Sequence, residues 1–273
     1  MKEEIKLFVL SSLASLLIIM ISGYFKGVLK IIIYISAFII PVFSCLYLRF
    51  VGESERKIFT IDYLKIGKKE ALLASGFVFP TVITVMGVSL LTTYMMMLFG
   101  REHTTVISDL PIMAIFRHAL LPALLEELAF RYLPLRLMEK RAPRGTVVLS
   151  ATLFALVHHS LFSIPYAFFA GIIFMAVDMM CDSVIPSFMI HLVNNLTALL
   201  TMGVLGVTVE LYVIFIILGA LSLLSLVPLF ICRKNLKEKV IAVFSRGEGM
   251  AFPTEVLLLA LPSLSIAFLE LWR

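Results

Sequence analysis

Charged residues are scarce in this sequence. Asp, Glu, Lys and Arg make up 15% of the 273 residues, whereas hydrophobic residues make up 61%. The mean hydropathy of +1.05 lies well outside the range of soluble globular proteins. A single soluble core could not bury this much apolar surface. The composition therefore predicts a polytopic α-helical membrane protein.

Cysteine is scarce as well. The chain has three cysteines, Cys45, Cys181 and Cys232, at wide spacing and without a C-x-x-C pair. This pattern supports neither a disulfide framework nor a cysteine zinc site. The HExxH motif of zinc proteases is missing too. The first apolar run lacks a small-residue cleavage site, so we interpret it as a retained helix rather than a signal peptide.

Apolar runs divide the chain into eight predicted spans, each long enough to cross a hydrocarbon core of about 30 Å. These spans are Ile5–Gly23, Ile31–Phe50, Ala71–Phe99, Pro111–Leu137, Thr146–Phe162, Pro165–Cys181, Val184–Leu205 and Val207–Cys232. A basic amphipathic segment, Arg233–Arg246, precedes a further apolar stretch, Pro253–Leu271, which either spans or lies along the interface. The predicted fold is all-α, a membrane helical bundle of about eight transmembrane helices, or nine if residues 253–271 span. We interpret residues 1–273 as a single integral membrane domain.

The basic residues lie mainly between alternate spans. Segments 1–6, 49–70, 136–145 and 233–252 hold seventeen of the 23 Lys and Arg residues. Cytoplasmic loops are enriched in Lys and Arg, so this asymmetry predicts a cytoplasmic N-terminus. The basic residues of these predicted cytoplasmic loops also account for the net charge of +5, which therefore does not indicate a nucleic-acid partner.

Within the apolar runs of residues 111–206, six polar or charged residues are candidates for function. They are Glu126, Glu127, Arg131, His158, His191 and Asn195. Ionisable groups at membrane depth are energetically costly, so they normally face a protein interior or a wet cavity and mark function. Counted from Arg136, from Arg144 and from the turn at Asp182, respectively, Glu126, His158 and His191 lie about 15, 21 and 13 Å deep. These similar depths predict one active site, assembled from three helices and nearer the cytoplasmic side.

Helical spacing indicates which of these groups can meet. His191 and Asn195 are four residues apart, so they share one helix face. Glu126 and Glu127 differ by about 100° and cannot point the same way. Arg131 lies four residues after Glu127 and is its expected counter-ion. We therefore expect one glutamate to face the cavity and the other to be held by a partner.

The residues quoted above form a recognisable set of motifs. Glu126-Glu127-x-x-x-Arg131, Phe154-x-x-x-His158 and His191-x-x-x-Asn195 occur in this order over residues 111–206. The set resembles the CAAX protease and bacteriocin-processing family, whose best-known members are the type II CAAX prenyl endopeptidases. The resemblance identifies residues 111–206 as the expected catalytic core.

The resemblance also implies roles for individual residues. Glu126 matches the general base that activates water, and His158 matches the histidine that helps to hold this water. His191 and Asn195 match the pair that stabilises the oxyanion, while Glu127 and Arg131 match supporting positions. The implied function is an intramembrane glutamate-dependent endopeptidase that removes the C-terminal tripeptide of prenylated CAAX proteins. It needs no cofactor and faces the cytoplasm, and its partners are the bilayer and a peptide or prenylated protein.

Other functions use the same residues. Glu126, His158 and His191 could supply the three protein ligands of a catalytic zinc ion. Intramembrane Glu and His also serve as proton relays in coupled transporters, although such carriers often contain internal repeats and no second Glu-Glu motif occurs here. A non-catalytic scaffold is a third alternative. Glu127 with Arg131 could be a purely structural ion pair, and Asn195 could simply join two helices.

Overall fold

A computed structural model describes residues 2–22, 25, 27–50, 61–100, 107, 109–138, 143–158, 160, 162–204 and 209–244. Within these ranges the chain forms helices joined by short connections and contains no β-strand. The prediction of an all-α bundle is therefore confirmed. The segment Pro253–Leu271, for which a ninth span was considered, lies outside the described residues.

The helices follow one another along the chain with few irregular residues between them. They are α1 (Lys2–Ser22), α2 (Gly27–Phe50), α3 (Lys68–Leu98), α4 (residues 111–138), α5 (Pro143–Val157), α6 (Ile164–Cys181), α7 (Ile185–Thr201), α8 (Leu211–Ile231) and α9 (Arg233–Val243). A short 3-10 turn at Ile61–Leu64 precedes α3. Helices α1 to α8 correspond to the eight predicted spans, and α9 lies in the predicted basic amphipathic segment. Helix α3 continues through Pro80 without a break.

Four of the described helices are long and apolar enough to cross a membrane. They contain the stretches Gly27–Ser44, Lys68–Leu98, Ile164–Cys181 and Leu211–Ile231. Helix α6 is the most buried of the four, which places it at the centre of the bundle. It packs against α3, α5 and α7, the helices that surround the predicted catalytic residues.

Contacts between distant parts of the chain define two ends of the bundle. At one end Arg144 donates to the carbonyl of Phe244, and Lys239 donates to the carbonyl of Met180. The N–H of Val184 donates to the carbonyl of Tyr63 at 3.0 Å at this same end. We call it the basic-loop end.

The other end is defined by a small apolar cluster that joins the start of α4 to the end of α7. It contains Ala114, Ala119 and Leu199, with Ile107 and Val204 packed against them. We call it the opposite end.

Helix α5 is shorter than predicted. The expected span ran to Phe162, but α5 ends at Val157 and α6 begins at Ile164. Pro165 lies in the first turn of α6, where a proline is tolerated because the first N–H groups of a helix have no partner within it. At 15 residues α5 is about 22 Å long, less than the thickness of the hydrocarbon core. The connection between α5 and α6 therefore lies inside the depth of the bundle.

Two π-helical turns interrupt α4. Ile115–Leu120 lies just before Pro122, and Leu128–Tyr132 lies just before Pro134. A proline lacks the backbone N–H, and its ring crowds the carbonyl four residues earlier, so the regular hydrogen bonding of an α-helix fails there. Both glutamates of the motif lie on the short α-helical segment between the two wider turns.

The close packing of α5 and α6 generates a prediction about Gly171. A Cβ atom at this glycine would lie 2.7 Å from the Cα of Ala151, a backbone atom that cannot move aside on its own. Gly171→Ala should therefore force the two helices apart and destabilise the protein by about 1–3 kcal/mol. Thermal unfolding in detergent measures this loss.

Gly219→Ala is the matched control, because a Cβ atom at Gly219 meets nothing within 4 Å. This substitution should leave the unfolding temperature unchanged or raise it slightly, since alanine favours helix more than glycine does. An equal unfolding temperature for the Gly171 and Gly219 variants would contradict the close approach of α5 and α6.

Candidate active site

A buried ion pair lies at the centre of the candidate site. Arg131 Nε is 3.2 Å from Glu127 Oε2, one helical turn away on α4. The Arg131 side chain is fully buried, and its guanidinium carbon lies 4.3 Å from the ring centre of Phe154 and 5.5 Å from that of Phe174. These distances are within the range of cation–π attraction, which strengthens when the cation is desolvated. The expected counter-ion of Glu127 is thus in place.

Pro134 helps to anchor this arginine. In a regular α-helix the residue at position 134 would donate its N–H to the carbonyl of Phe130, but proline has none. Arg131 Nη1 donates to this carbonyl at 3.2 Å and to Ser150 Oγ at 3.1 Å. Ser150 donates its hydroxyl to the same carbonyl. The gap in the hydrogen bonding of α4 therefore fixes the guanidinium and ties α4 to α5.

His191 on α7 lies between the two glutamates. Its Nδ1 is 2.7 Å from Glu127 Oε1, and its Nε2 is 3.9 Å from Glu126 Oε2. Since Glu127 is already paired with a guanidinium and can only accept, Nδ1 carries a proton and donates it. Nε2 is then left facing Glu126, beyond direct hydrogen-bond distance.

One carboxylate oxygen of Glu126 accepts a hydrogen bond, and the other has no partner among the described residues. The hydroxyl of Tyr34 on α2 donates to Glu126 Oε1 at 2.7 Å. Glu126 Oε2 is buried and has no hydrogen-bond partner among the described residues. The two glutamates are therefore held differently, as the 100° between them predicts: Glu127 by Arg131 and His191, and Glu126 by Tyr34.

His158 lies one residue beyond the end of α5 rather than within a helix as predicted. Its Nδ1 donates to the carbonyl of Phe154 at 2.9 Å, so a neutral ring has an unprotonated Nε2. The His158 ring packs against Phe154 at 5.1 Å and against Tyr166 at 6.0 Å. Phe154 also packs against His191 at 5.4 Å, so one aromatic ring separates the two histidines.

The two histidines share a cavity of about 180 Å³, whose lining does not include Glu126. Its lining includes His158, His191, Asn195, Asn194 and Tyr166. We call it the histidine cavity. His191 and Asn195 thus face one space from one face of α7, as their spacing predicts. Asn194, to which the sequence analysis assigned no role, lines the cavity as well, and its Nδ2 donates to Asn195 Oδ1 at 3.4 Å.

The histidine cavity extends toward the opposite end of the bundle. From His191 it reaches Ser89 on α3 and Met202 beyond the end of α7, and Met202 is 51% exposed. Access of water from the basic-loop end, which the sequence predicts, stays a prediction.

Two residues of the site were not anticipated from the sequence. Tyr34 lies in the apolar run of α2, 92 positions before Glu126, and nothing in the local pattern marks it. Ser150 on α5 is likewise an ordinary small residue of an apolar helix. Partners of this kind become visible only when the helices are packed together.

Asp178 on α6 is completely buried, although it lies only three residues before the end of that helix. Its Oδ1 accepts the backbone N–H of Ser187 at 2.9 Å, near the start of α7. Because orphan N–H groups at a helix start favour negative charge, Asp178 anchors α7 next to the site.

The zinc alternative requires at least three protein ligands close together. No group of three or more His, Cys, Asp or Glu side chains in the described ranges has an arrangement able to hold a metal ion. Of the three residues considered as zinc ligands, Glu126 and His191 have Oε2 and Nε2 3.9 Å apart.

Part of the chain matches a protein-family model. Residues 108–197 match the family model described as type II CAAX prenyl endopeptidase Rce1-like. The matched region contains Glu126, Glu127, Arg131, His158, His191 and Asn195. The resemblance noted from the motifs is therefore confirmed over this region, and it supports an intramembrane protease of the CAAX type in general. No curated protein and no solved structure matches the chain.

The buried ion pair generates a prediction about stability. Arg131→Met should destabilise the protein by about 3–5 kcal/mol, because Glu127 would be left as a buried charge without its partner. Thermal unfolding in detergent measures the loss. Lys237→Met, an exposed change on α9, is the control and should have little effect.

A second variant tests whether the lost stability belongs to the pair. Adding Glu127→Gln to Arg131→Met removes the stranded charge, so the double variant should be more stable than Arg131→Met alone. Equal unfolding temperatures for the single and the double variant would show that the stability lost in Arg131→Met does not come from an unpaired Glu127 charge.

Proposed function

We propose that this protein is an intramembrane endopeptidase in which Glu126 activates water for attack on a peptide bond. The observation that carries the proposal is the arrangement around the histidine cavity. His158, His191 and Asn195 line one small space, and Oε2 of Glu126 lies 3.9 Å from His191. This set contains a general base and neighbouring groups that can polarise a carbonyl, which are the requirements of peptide hydrolysis.

The hydrogen bonds of Glu126 and His158 suggest how these two residues position the attacking water. Glu126 Oε2 has no partner among the described residues, so it can accept a proton from water, while Tyr34 holds the other oxygen. His158 donates through Nδ1 to a carbonyl and therefore presents Nε2 as an acceptor. A water molecule between these two groups would donate one hydrogen bond to each and direct its oxygen at the substrate.

His191 and Asn195 are proposed to stabilise the oxyanion that forms during attack. Asn195 can donate from its amide nitrogen. His191 already donates its Nδ1 proton to Glu127, so it can donate from Nε2 only when the ring carries a second proton. The adjacent Glu127 carboxylate stabilises this imidazolium form. We therefore propose that Glu127 orients His191 and that Arg131 holds Glu127 in place.

For the substrate we propose the C-terminal tripeptide of a prenylated CAAX-type protein. A second cavity, of about 170 Å³, lies near Glu127 toward the basic-loop end and has an almost wholly apolar lining that includes Leu124, Leu128 and Phe188. We call it the apolar cavity. It offers the side chains that an isoprenoid chain would contact, next to the residues assigned to catalysis.

The proposal is tested by cleavage of a short farnesylated CAAX peptide by protein purified without added metal. Glu126→Gln keeps the size and the hydrogen bond to Tyr34 but removes the base, so it should lower kcat by a factor of about 10² to 10⁴. His158→Ala and His191→Ala should also be severely impaired. Glu210→Gln, a change of an exposed glutamate before α8, is the control and should cleave at the wild-type rate.

A chelator arm separates this mechanism from the zinc alternative. Wild-type activity should survive extensive treatment with EDTA, and elemental analysis should find no stoichiometric zinc. Loss of activity on chelation with recovery on adding zinc would favour the metalloprotease instead. Wild-type turnover by Glu126→Gln would refute the role of Glu126.

The position of the histidine cavity generates a prediction about its access. We propose that the basic-loop end lies in the cytoplasm and that the prenylated substrate enters from there, past the apolar cavity. In a protein whose native cysteines are replaced by alanine, Arg144→Cys should react with an impermeant maleimide only from the cytoplasm. Met202→Cys should react only from the other side.

The reverse labelling would overturn this orientation. It would place the mouth of the histidine cavity in the cytoplasm and the basic loops outside. Labelling of both cysteines from the same side would contradict the arrangement of the bundle itself.

A further inference from the structure

A third cavity lies between α2 and α4 at the opposite end of the bundle. It has a volume of about 390 Å³, and Lys30, Tyr34, Asp109, Arg117 and His118 contribute to its lining. We call it the basic cavity. Unlike the other two cavities it combines cationic side chains with a wall that touches the candidate catalytic carboxylate. The roles proposed above make no use of it.

The charges in the basic cavity are not balanced. Arg117 Nη1 is 2.9 Å from Asp109 Oδ1, and His118 Nε2 is 3.1 Å from Asp109 Oδ2. One carboxylate is therefore shared by an arginine and a histidine. Lys30 makes no ion pair with any described residue, and Arg117 Nε is buried without a hydrogen-bond partner in the described part of the chain. The cavity thus has spare cationic groups that would accept an anion.

The basic cavity lies next to the glutamate assigned to catalysis. Tyr34, which lines the cavity, donates its hydroxyl to Glu126 Oε1 at 2.7 Å. Pro122, also in the lining, lies one turn before Glu126 on α4. The histidine cavity lies beyond the other oxygen of Glu126, on the side of His191. Glu126 is not itself in the lining of either cavity, but Tyr34 connects its Oε1 to the basic cavity, and its Oε2 lies 3.9 Å from His191, which lines the histidine cavity.

The cationic groups lie at a defined distance from this glutamate. Lys30 is one turn of α2 beyond Tyr34, about 6 Å along the helix, and Arg117 is nine residues before Glu126, about 13 Å along α4. A peptide of three extended residues spans about 10 Å. A carboxylate three residues after the cleaved bond would therefore reach the level of Lys30 and Arg117.

We propose that the basic cavity binds the C-terminal carboxylate of the peptide segment that is cleaved off, with Lys30 and Arg117 as its ligands. This inference rests on the proposed peptidase function. It adds an explanation of how the cleavage position is fixed relative to the C-terminus of the substrate. A guanidinium and a carboxylate form strong, directional hydrogen bonds, so cleavage is confined to substrates whose chain ends three residues past the bond.

The first experiment compares two farnesylated peptides that differ only in having a C-terminal acid or a C-terminal amide. The wild-type protein should cleave the acid with a kcat/KM about 10- to 100-fold higher, as expected for a lost hydrogen bond between charged groups. Lys30→Met and Arg117→Met should cleave the acid as slowly as the wild-type protein cleaves the amide. Lys237→Met, far from the cavity, should retain the preference. Equal cleavage of both peptides by the wild-type protein would overturn the inference and leave the peptidase proposal intact.

The second experiment measures binding without turnover. In the Glu126→Gln protein the free tripeptide acid should raise the unfolding temperature more than the tripeptide amide, and Lys30→Met should abolish the difference. If no peptide is cleaved but this difference is found, the peptidase proposal fails and the carboxylate site stands. If the acid and the amide bind equally, or if glycerol phosphate binds and the tripeptide acid does not, the carboxylate site is refuted.

Discussion

The fully buried guanidinium of Arg131 is the constraint on which the rest of the site depends. A charge in an apolar bundle is tolerated only when nearby groups replace the water it has lost. Here the replacement comes from Glu127 on the same helix, a carbonyl, a serine on α5 and two aromatic rings. Glu127 in turn binds His191. The requirement to satisfy one cation therefore fixes the relative positions of α4, α5 and α7.

The irregularities of α4 follow from the same requirement. Pro122 and Pro134 have no backbone N–H, so each leaves a carbonyl of the preceding turn without its usual donor. The π-helical turns before them accommodate the proline rings. Side chains from neighbouring helices then replace the missing donors, as Ser150 does at Phe130. A regular helix would have used these carbonyls internally and offered nothing to hold the arginine. The prolines thus leave a backbone carbonyl of α4 free to accept hydrogen bonds from Arg131 and Ser150.

The three cavities around the two glutamates differ in chemistry. The histidine cavity has groups that can hold water, the apolar cavity has almost only carbon atoms on its walls, and the basic cavity has spare cationic groups. A lipid-modified peptide that ends in a carboxylate contains an isoprenoid chain, a bond to be hydrolysed and an anion, in this order. The proposed function and the proposed carboxylate site therefore use different cavities for different parts of one substrate.

The sequence by itself determined the all-α membrane class, the approximate positions of the helices and the motifs that lie in the region matching the Rce1-like family model, residues 108–197. These properties depend on composition and on spacing along one helix, which are local. It also predicted the contact between Glu127 and Arg131 for the same reason. The end of α5 at Val157, the burial of Asp178, the bond from Tyr34 to Glu126 and the end at which the histidine cavity opens were decided only by tertiary structure. Each of these depends on which surfaces of distant helices pack together, and no pattern within a single helix contains that information.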